Sequence, residues 1–170
     1  LATIHEAFDS LKGLKVVLLG DLRYGRTVHS LAYGLAQFGV EIVLTSPPEL
    51  KLPEELRIAI ERSGGKIGVE ADLRTAVRDA DVLYVTRIQK ERFGDEGEYR
   101  KVAGSYRIDA HLLEGAKERL VILHPLPRAG EVAPEVDRTR HALYFRQAFL
   151  GVPVRMALLD AILGGGPTVA

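Results

Sequence analysis

Residues 15–27, Lys-Val-Val-Leu-Leu-Gly-Asp-Leu-Arg-Tyr-Gly-Arg-Thr, constrain the fold more than any other stretch. Lys15 leads four consecutive apolar residues, Val16, Val17, Leu18 and Leu19, into Gly20. A run that is apolar at every position, rather than at alternate ones, reads as a strand covered on both faces, which is the habit of parallel sheets. A short polar turn follows, and a helix begins at Arg26-Thr27. Open α/β sheets bind their ligands at the carboxyl ends of such strands. In this chain that position holds a guanidinium and a hydroxyl beside a helix N-terminus, groups suited to an anion.

The same alternation of strand and helix patterns runs along the chain. Thr3 and Glu6 have the spacing of a capping box, with Ile4, Phe8 and Leu11 on one helical face and Gly13 as the stop. Val28, Leu31, Ala32, Leu35 and Ala36 keep a helical period up to Gly39. Residues 41–45 read as a second strand, and Pro53 stands in the first turn of a helix that runs to Arg62. Residues 66–70 form a weak third strand, and Asp72 caps a helix over residues 73–79. Residues 81–86 and 120–123 supply strands four and five, and residues 146–163 a last, largely apolar helix before a glycine-rich tail. The pattern predicts an α/β fold, a Rossmann-like doubly wound parallel sheet of about five strands in the order 3-2-1-4-5, with helices on both faces. Its switch point lies between strands 1 and 4. Arg26, Arg87 and the turn after strand 5 are therefore expected on one edge.

Composition narrows the chemistry. Lys plus Arg and Asp plus Glu number 23 each, so no global charge points to nucleic acid or an anionic membrane. There is no cysteine, which removes disulfides, thiolate catalysis and Cys-based metal sites. No apolar run reaches the roughly 20 residues of a membrane span. No signal peptide is recognised, and a cytoplasmic location is expected. The chain starts at Leu1 rather than Met and is expected to be part of something longer.

Residues 20–27 approach the phosphate-loop spacing G-x-x-x-x-G-K-[ST], but Arg26 replaces the lysine, and Asp21 and Tyr24 fill a loop that should be small and rich in free amides. A dinucleotide site is a poor match too, for Gly20 and Gly25 are wrongly spaced and strand 2 ends without an acid. Arg26 opposes the dipole of its helix, a small cost that an anionic partner would offset. Arg87 follows strand 4 at its mouth, and Gln89 shares its parity. A planar guanidinium is the natural clamp for a carboxylate. Lys90 and Arg92 are as readily a solvated charged face. Residues 91–106, with Gly94, Gly97 and Gly104, read as a flap over the site. His124-Pro125-Leu126-Pro127-Arg128 brings two prolines to a strand end, leaves carbonyls facing outward and has room for a cis bond, with His124 read as structural rather than as a general base.

Taken together, residues 20–31, Thr86-Arg87-Ile88-Gln89-Lys90-Glu91-Arg92, His124-Pro125-Leu126-Pro127-Arg128 and Tyr144-Phe145-Arg146-Gln147-Ala148 resemble the aspartate-binding half of aspartate carbamoyltransferase catalytic chains. The resemblance implies transfer of a carbamoyl group from carbamoyl phosphate to the amine of L-aspartate, in pyrimidine synthesis. It assigns Arg26, Thr27, Arg87 and Gln89 to aspartate, the backbone of Leu126 and Pro127 to carbamoyl phosphate and the attacking amine, and supporting places to His124, Pro125 and Arg128. It implies a cis Leu126–Pro127 bond, no cofactor and no metal. It also implies a homotrimer of catalytic chains, with regulatory or dihydroorotase subunits as further partners. Residues 1–13 become a linker helix toward a carbamoyl-phosphate domain, residues 14–150 the aspartate-binding domain, and residues 151–170 a helix and tail packing on that other domain. The family's Ser-x-Arg-Thr phosphate site, its His…Gln pair and the lysine lent by a neighbouring subunit are not in this sequence, so the chain alone is expected to be inactive. Ornithine enzymes favour a Cys where Pro125 stands, which favours aspartate. Phe149-Leu150-Gly151-Val152-Pro153 occupies the place of a more usual Asn-Gly pair. Two readings stand beside this one, a non-catalytic dicarboxylate-binding module and a nucleotide-binding enzyme.

Overall fold

The computed structural model describes residues 1–88, 93–102 and 106–164. Strands β1 (Lys15–Leu19), β2 (Glu41–Thr45), β3 (Lys66–Val69), β4 (Val82–Val85) and β5 (Val121–Leu123) pair in parallel, in the order β3-β2-β1-β4-β5. The sheet order predicted from the alternation of elements is the observed one. β1 lies at the centre, with Val17 in register with Val43 on one side and Leu83 on the other. The helices are α1 (Ala2–Phe8), α2 (Arg26–Ala36), α3 (Glu54–Arg62), α4 (Leu73–Asp79), α5 (Glu96–Val102), α6 (Ala110–Leu113) and α7 (Tyr144–Leu163).

Successive side chains of a strand point to opposite faces, and β1 divides itself accordingly. Val16 and Leu18 join Ile42, Leu44, Val82 and Tyr84 in a core layer covered by Ile4, Val28, Leu35 and Ile60 from α1, α2 and α3. Val17 and Leu19 join Val43, Leu83, Val85 and Ile122 in a second layer covered by Ala76 and Val77 of α4, Leu112 and Leu113 of α6, and Tyr144. Burial on both faces is why the run is apolar at every position. The β5 edge is closed by the chain itself: the Ile122 amide donates to the His141 carbonyl at 2.7 Å and the Leu143 amide to the Ile122 carbonyl at 3.1 Å. Among the described residues nothing pairs with the outer edge of β3, where Val69 is 72% exposed.

Some boundaries depart from the sequence reading. Thr3 does not cap α1; it lies buried inside the helix, and Leu1 stands at the cap position with no side-chain bond. The helix ends at Asp9, in the left-handed region at φ 59, four residues before Gly13. Asp is among the few non-glycine residues that visit that region readily. Pro53 sits one residue ahead of the first turn of α3. The cap at Asp72 is as predicted, its carboxylate accepting from the Thr75 amide at 2.7 Å. α6, which the periodicity did not reveal, is a single turn capped by Asp109 through the Leu112 amide at 2.9 Å. α7 begins two residues before the expected 146, and it remains helical through Phe149-Leu150-Gly151 with Pro153 inside it. The glycine-rich tail from 165 onward lies outside the described residues.

Candidate functional site

The carboxyl ends of β1, β4 and β5 meet around a cleft of about 250 Å³, lined by Arg26 and Thr27 from the start of α2, by Arg87, and by His124, Pro125, Leu126 and Pro127. Three segments separated by as many as 100 positions thus form one wall, at the switch point where α/β sheets bind ligands. Arg26 is exposed, and among the described residues no acidic side chain pairs with it. Arg87 is half-buried at the strand mouth. Gln89, the fourth residue assigned to the site, lies outside the described residues, as do Lys90, Glu91 and Arg92. Within the segment read as a flap, residues 96–102 form α5, whose Val102 is buried.

The loop from Gly20 to Arg26 is shaped from within. Asp21 is buried, and its Oδ1 accepts from the amides of Arg23 at 3.1 Å and Tyr24 at 2.9 Å. These are amides that a phosphate loop would leave for its ligand, so Asp21 is the physical reason the loop is no nucleotide cradle. Gly20 has φ 106, and a Cβ built on it would lie 2.4 Å from the Thr86 carbonyl oxygen. The Thr86 hydroxyl donates to the Leu19 carbonyl at 2.9 Å. The exits of β1 and β4 are thereby locked side by side, which fixes where Arg26 and Arg87 start from. His29 holds the far end of the loop, its Nε2 being 2.9 Å from the Leu22 carbonyl oxygen. Gly25 at the α2 cap offers no side-chain acceptor to the first turn of the helix. Thr27 reaches the Tyr84 hydroxyl; burial raises the Tyr84 pKa and that hydrogen bond works against the rise.

The turn after β5 carries the cis Leu126–Pro127 bond that the resemblance implied, with Leu126 at φ 53. The His124 amide donates to Gln147 Oε1 at 2.9 Å, so α7 ties down the base of the turn. The ring of His124 is buried, and its Nδ1 accepts from the Leu126 amide at 2.9 Å. That contact occupies one of the two ring nitrogens of His124. Arg128 does not line the cleft. It forms an ion pair with Asp137 and donates to the Tyr144 hydroxyl at 3.1 Å. The Arg128 hydrogen bond holds the Asp137 carboxyl down at about 2, while burial and the same carboxylate push the Tyr144 phenol up to about 12. Of the fourth motif, Tyr144 meets Arg128 and Gln147 meets the His124 amide, and neither lines the cleft. Sequence reasoning missed Asp137 and Glu131, which meet Arg128 and His124 across stretches without periodicity.

A larger cavity of about 660 Å³ adjoins the cleft across Thr27, His124 and Pro125 and continues between α1 and α7, along Gln147, Leu150 and Val154. The two helices are linked there by an ion pair between Arg146 Nε and Glu6 Oε1 at 2.9 Å. No group of three or more His, Asp or Glu among the described residues is placed to hold a metal ion, and no described helix is long and apolar enough to cross a membrane.

A doubly wound α/β domain with two arginines at its switch point defines a class: a binding domain for a small ligand carrying carboxylate or phosphate groups. Residues 12–162 match the model of the aspartate/ornithine carbamoyltransferase Asp/Orn binding domain, and the chain belongs to that family. The aspartate carbamoyltransferase catalytic subunit of Thermococcus onnurineus is 57% identical over 164 residues, 96% of this chain and 53% of the relative. The same subunit of Archaeoglobus fulgidus is 52% identical over 163 residues, again 96% of this chain and 53% of the relative. Among solved structures, the catalytic subunit of M. jannaschii aspartate transcarbamoylase matches with a TM-score of 0.87 at 45% identity, covering 98% of this chain and 55% of that one. Trypanosoma cruzi aspartate transcarbamoylase in complex with carbamoyl phosphate and aspartate matches with a TM-score of 0.85 at 37% identity, covering 92% of this chain and 52% of that one. The chain spans about half the length of the relatives it matches.

Proposed function

We propose that this chain is the acceptor-binding half of an aspartate carbamoyltransferase, which transfers the carbamoyl group of carbamoyl phosphate to the amine of L-aspartate. The products are N-carbamoyl-L-aspartate and phosphate, an early step of pyrimidine synthesis in the cytoplasm. The observation that carries this reading is the convergence of Arg26, Arg87 and the Leu126–Pro127 turn on one cleft. Two guanidinium groups match the two carboxylates of aspartate, each able to bind bidentately. Thr27 assists Arg26, and Gln89 assists Arg87. The backbone of Leu126 and Pro127 meets the carbamoyl group and the incoming amine. Pro125 stands where ornithine enzymes favour a Cys, and ornithine would bring one carboxylate to two clamps.

The amine nitrogen of aspartate, in its neutral form, attacks the carbamoyl carbon. A C–N bond forms, the carbon–oxygen bond to phosphate breaks, and the proton lost by the amine leaves with the phosphate. No nucleophile is needed from the protein. Its part is orientation and charge stabilisation, and well-held geometry supplies about 7–11 kcal/mol of such a barrier.

Residues 14–150 are the acceptor domain in this reading, residues 1–13 a linker and residues 151–170 a segment that packs on the other half of the protein. Val152, Met156, Leu159, Ile162 and Leu163 on α7 are each more than half exposed, a surface that favours a partner. α1 needs one less, because Ile4 is buried in this chain's own core. The full catalytic chain would assemble as a homotrimer, with regulatory or dihydroorotase subunits as further partners. The test is a carbamoylation assay on the full-length protein with aspartate or ornithine as acceptor. Turnover with aspartate and none with ornithine is expected. Turnover with ornithine alone, or dicarboxylate binding without any turnover, would overturn the assignment.

A further inference from the structure

Glu131 lies seven residues beyond His124 and is not among the residues the resemblance assigns. Its main chain is pinned, for the Ile108 amide donates to its carbonyl at 2.8 Å. One carboxylate oxygen, Oε2, accepts from the Ala129 amide at 2.9 Å. The other, Oε1, is 2.7 Å from His124 Nε2. Both of these facing atoms are buried and have no other partner, and the contact between them is angled short of a well-formed hydrogen bond. On the opposite side of the ring, Nδ1 accepts from the Leu126 amide. In an imidazole, the nitrogen that carries the proton is set by what the other one faces. A donor at Nδ1 and a carboxylate at Nε2 both demand the same tautomer, with the proton on Nε2.

The residue held at the end of this chain of contacts is strained. Leu126 has φ 53, in the left-handed region that L-residues other than Asn and Asp rarely enter. Without an acceptor at Nδ1 its amide would be left unpaired in a half-buried turn. We propose that Glu131 is a positioning residue: its carboxylate keeps the His124 proton on Nε2, which leaves Nδ1 to hold the Leu126 amide and so fixes the Leu126–Pro127 wall of the cleft. The catalytic part of this statement rests on the carbamoyltransferase reading, in which that wall meets the reacting groups while Arg26 and Arg87 hold the acceptor's carboxylates.

The experiment has two arms, both on the full-length protein. The first is long-range ¹H–¹⁵N NMR of histidine-labelled wild type and Glu131→Ala. The wild type should show His124 with a proton on Nε2 and none on Nδ1, and the variant should lose that bias. The second is steady-state kinetics of the same variant. Loss of orientation at the reacting groups should lower kcat by about tenfold or more, as small misplacements of reacting groups do. The aspartate KM should stay within about twofold, because both guanidinium groups are untouched. A proton on Nδ1 in the wild type overturns the proposal. So does a variant with wild-type kcat, or one in which kcat and KM fail together with the melting temperature, since that marks a purely structural role. Wild-type protein that does not carbamoylate aspartate at all defeats the functional reading instead, and the tautomer measurement then decides the Glu131–His124 pairing by itself.

Discussion

Replacing Gly20 by Ala puts the geometry of the site under direct strain. The added Cβ would sit 2.4 Å from the Thr86 carbonyl oxygen and 2.8 Å from its hydroxyl, where ordinary contact begins at 3.4 Å. Neither the main chain of β4 nor a hydroxyl already bonded to Leu19 can swing aside as a long side chain would. The exits of β1 and β4 must therefore part by about 1 Å. The backbone adds its own penalty, since φ 106 suits only glycine, at a cost of about 1–3 kcal/mol for an L-residue. Weakening the Thr86–Leu19 hydrogen bond costs about 1 kcal/mol more. The sum is about 2–4 kcal/mol of stability. Because Arg26 rides on one of these exits and Arg87 on the other, a 1 Å shift between them should lower kcat/KM about hundredfold. Urea unfolding of the full-length protein reads the first number and steady-state carbamoylation of aspartate the second. A Gly20→Ala protein with the wild-type urea midpoint and kcat/KM within about twofold would refute the claim that this close approach sets the spacing of the two arginines.

Arg87→Ala should lower kcat/KM for aspartate about hundredfold or more, the loss of two charge-assisted hydrogen bonds, while the circular dichroism spectrum stays unchanged; Arg26→Ala should behave alike, and normal aspartate affinity in either would sink its role as a clamp. The pair of Arg128 and Asp137 makes stability depend on acid. The folded pKa of Asp137 is about 2, below its ordinary 3.8, so its contribution is present above about 4 and is lost as pH falls toward 2. Asp137→Asn should flatten the urea midpoint across that window, and an unchanged slope there would remove the ion pair from the account. Tyr144 gives the opposite edge, because its raised pKa means that stability present below pH 10 is lost as pH climbs toward about 12. Tyr144→Phe should remove that alkaline decline.

What could be read from the sequence was whatever local pattern and sheet rules determine. Four consecutive apolar residues before Gly20 stated that β1 is buried twice, and right-handed crossovers then leave few strand orders to choose among. That sufficed to bring Arg26, Arg87 and Pro127 together on paper. Asp72 was legible as a cap because its partner, the Thr75 amide, is three residues away. Thr3 had a capping signature too and failed, since the helix begins ahead of it and buries it inside the first turn. The single turn of α6 is too short to show a period. Glu131 and Asp137 were invisible for a different reason. Each meets its partner across a loop, seven and nine residues away, where neither helix nor strand geometry dictates which side chains face each other.

The Asx turn at Asp21 has one more consequence. A loop whose amides are satisfied by its own carboxylate does not need a ligand to acquire its shape, so the conformational entropy of that wall is spent during folding and not at the moment of binding. Small anionic ligands should therefore meet a wall on this side of the cleft whose shape is already set before they arrive.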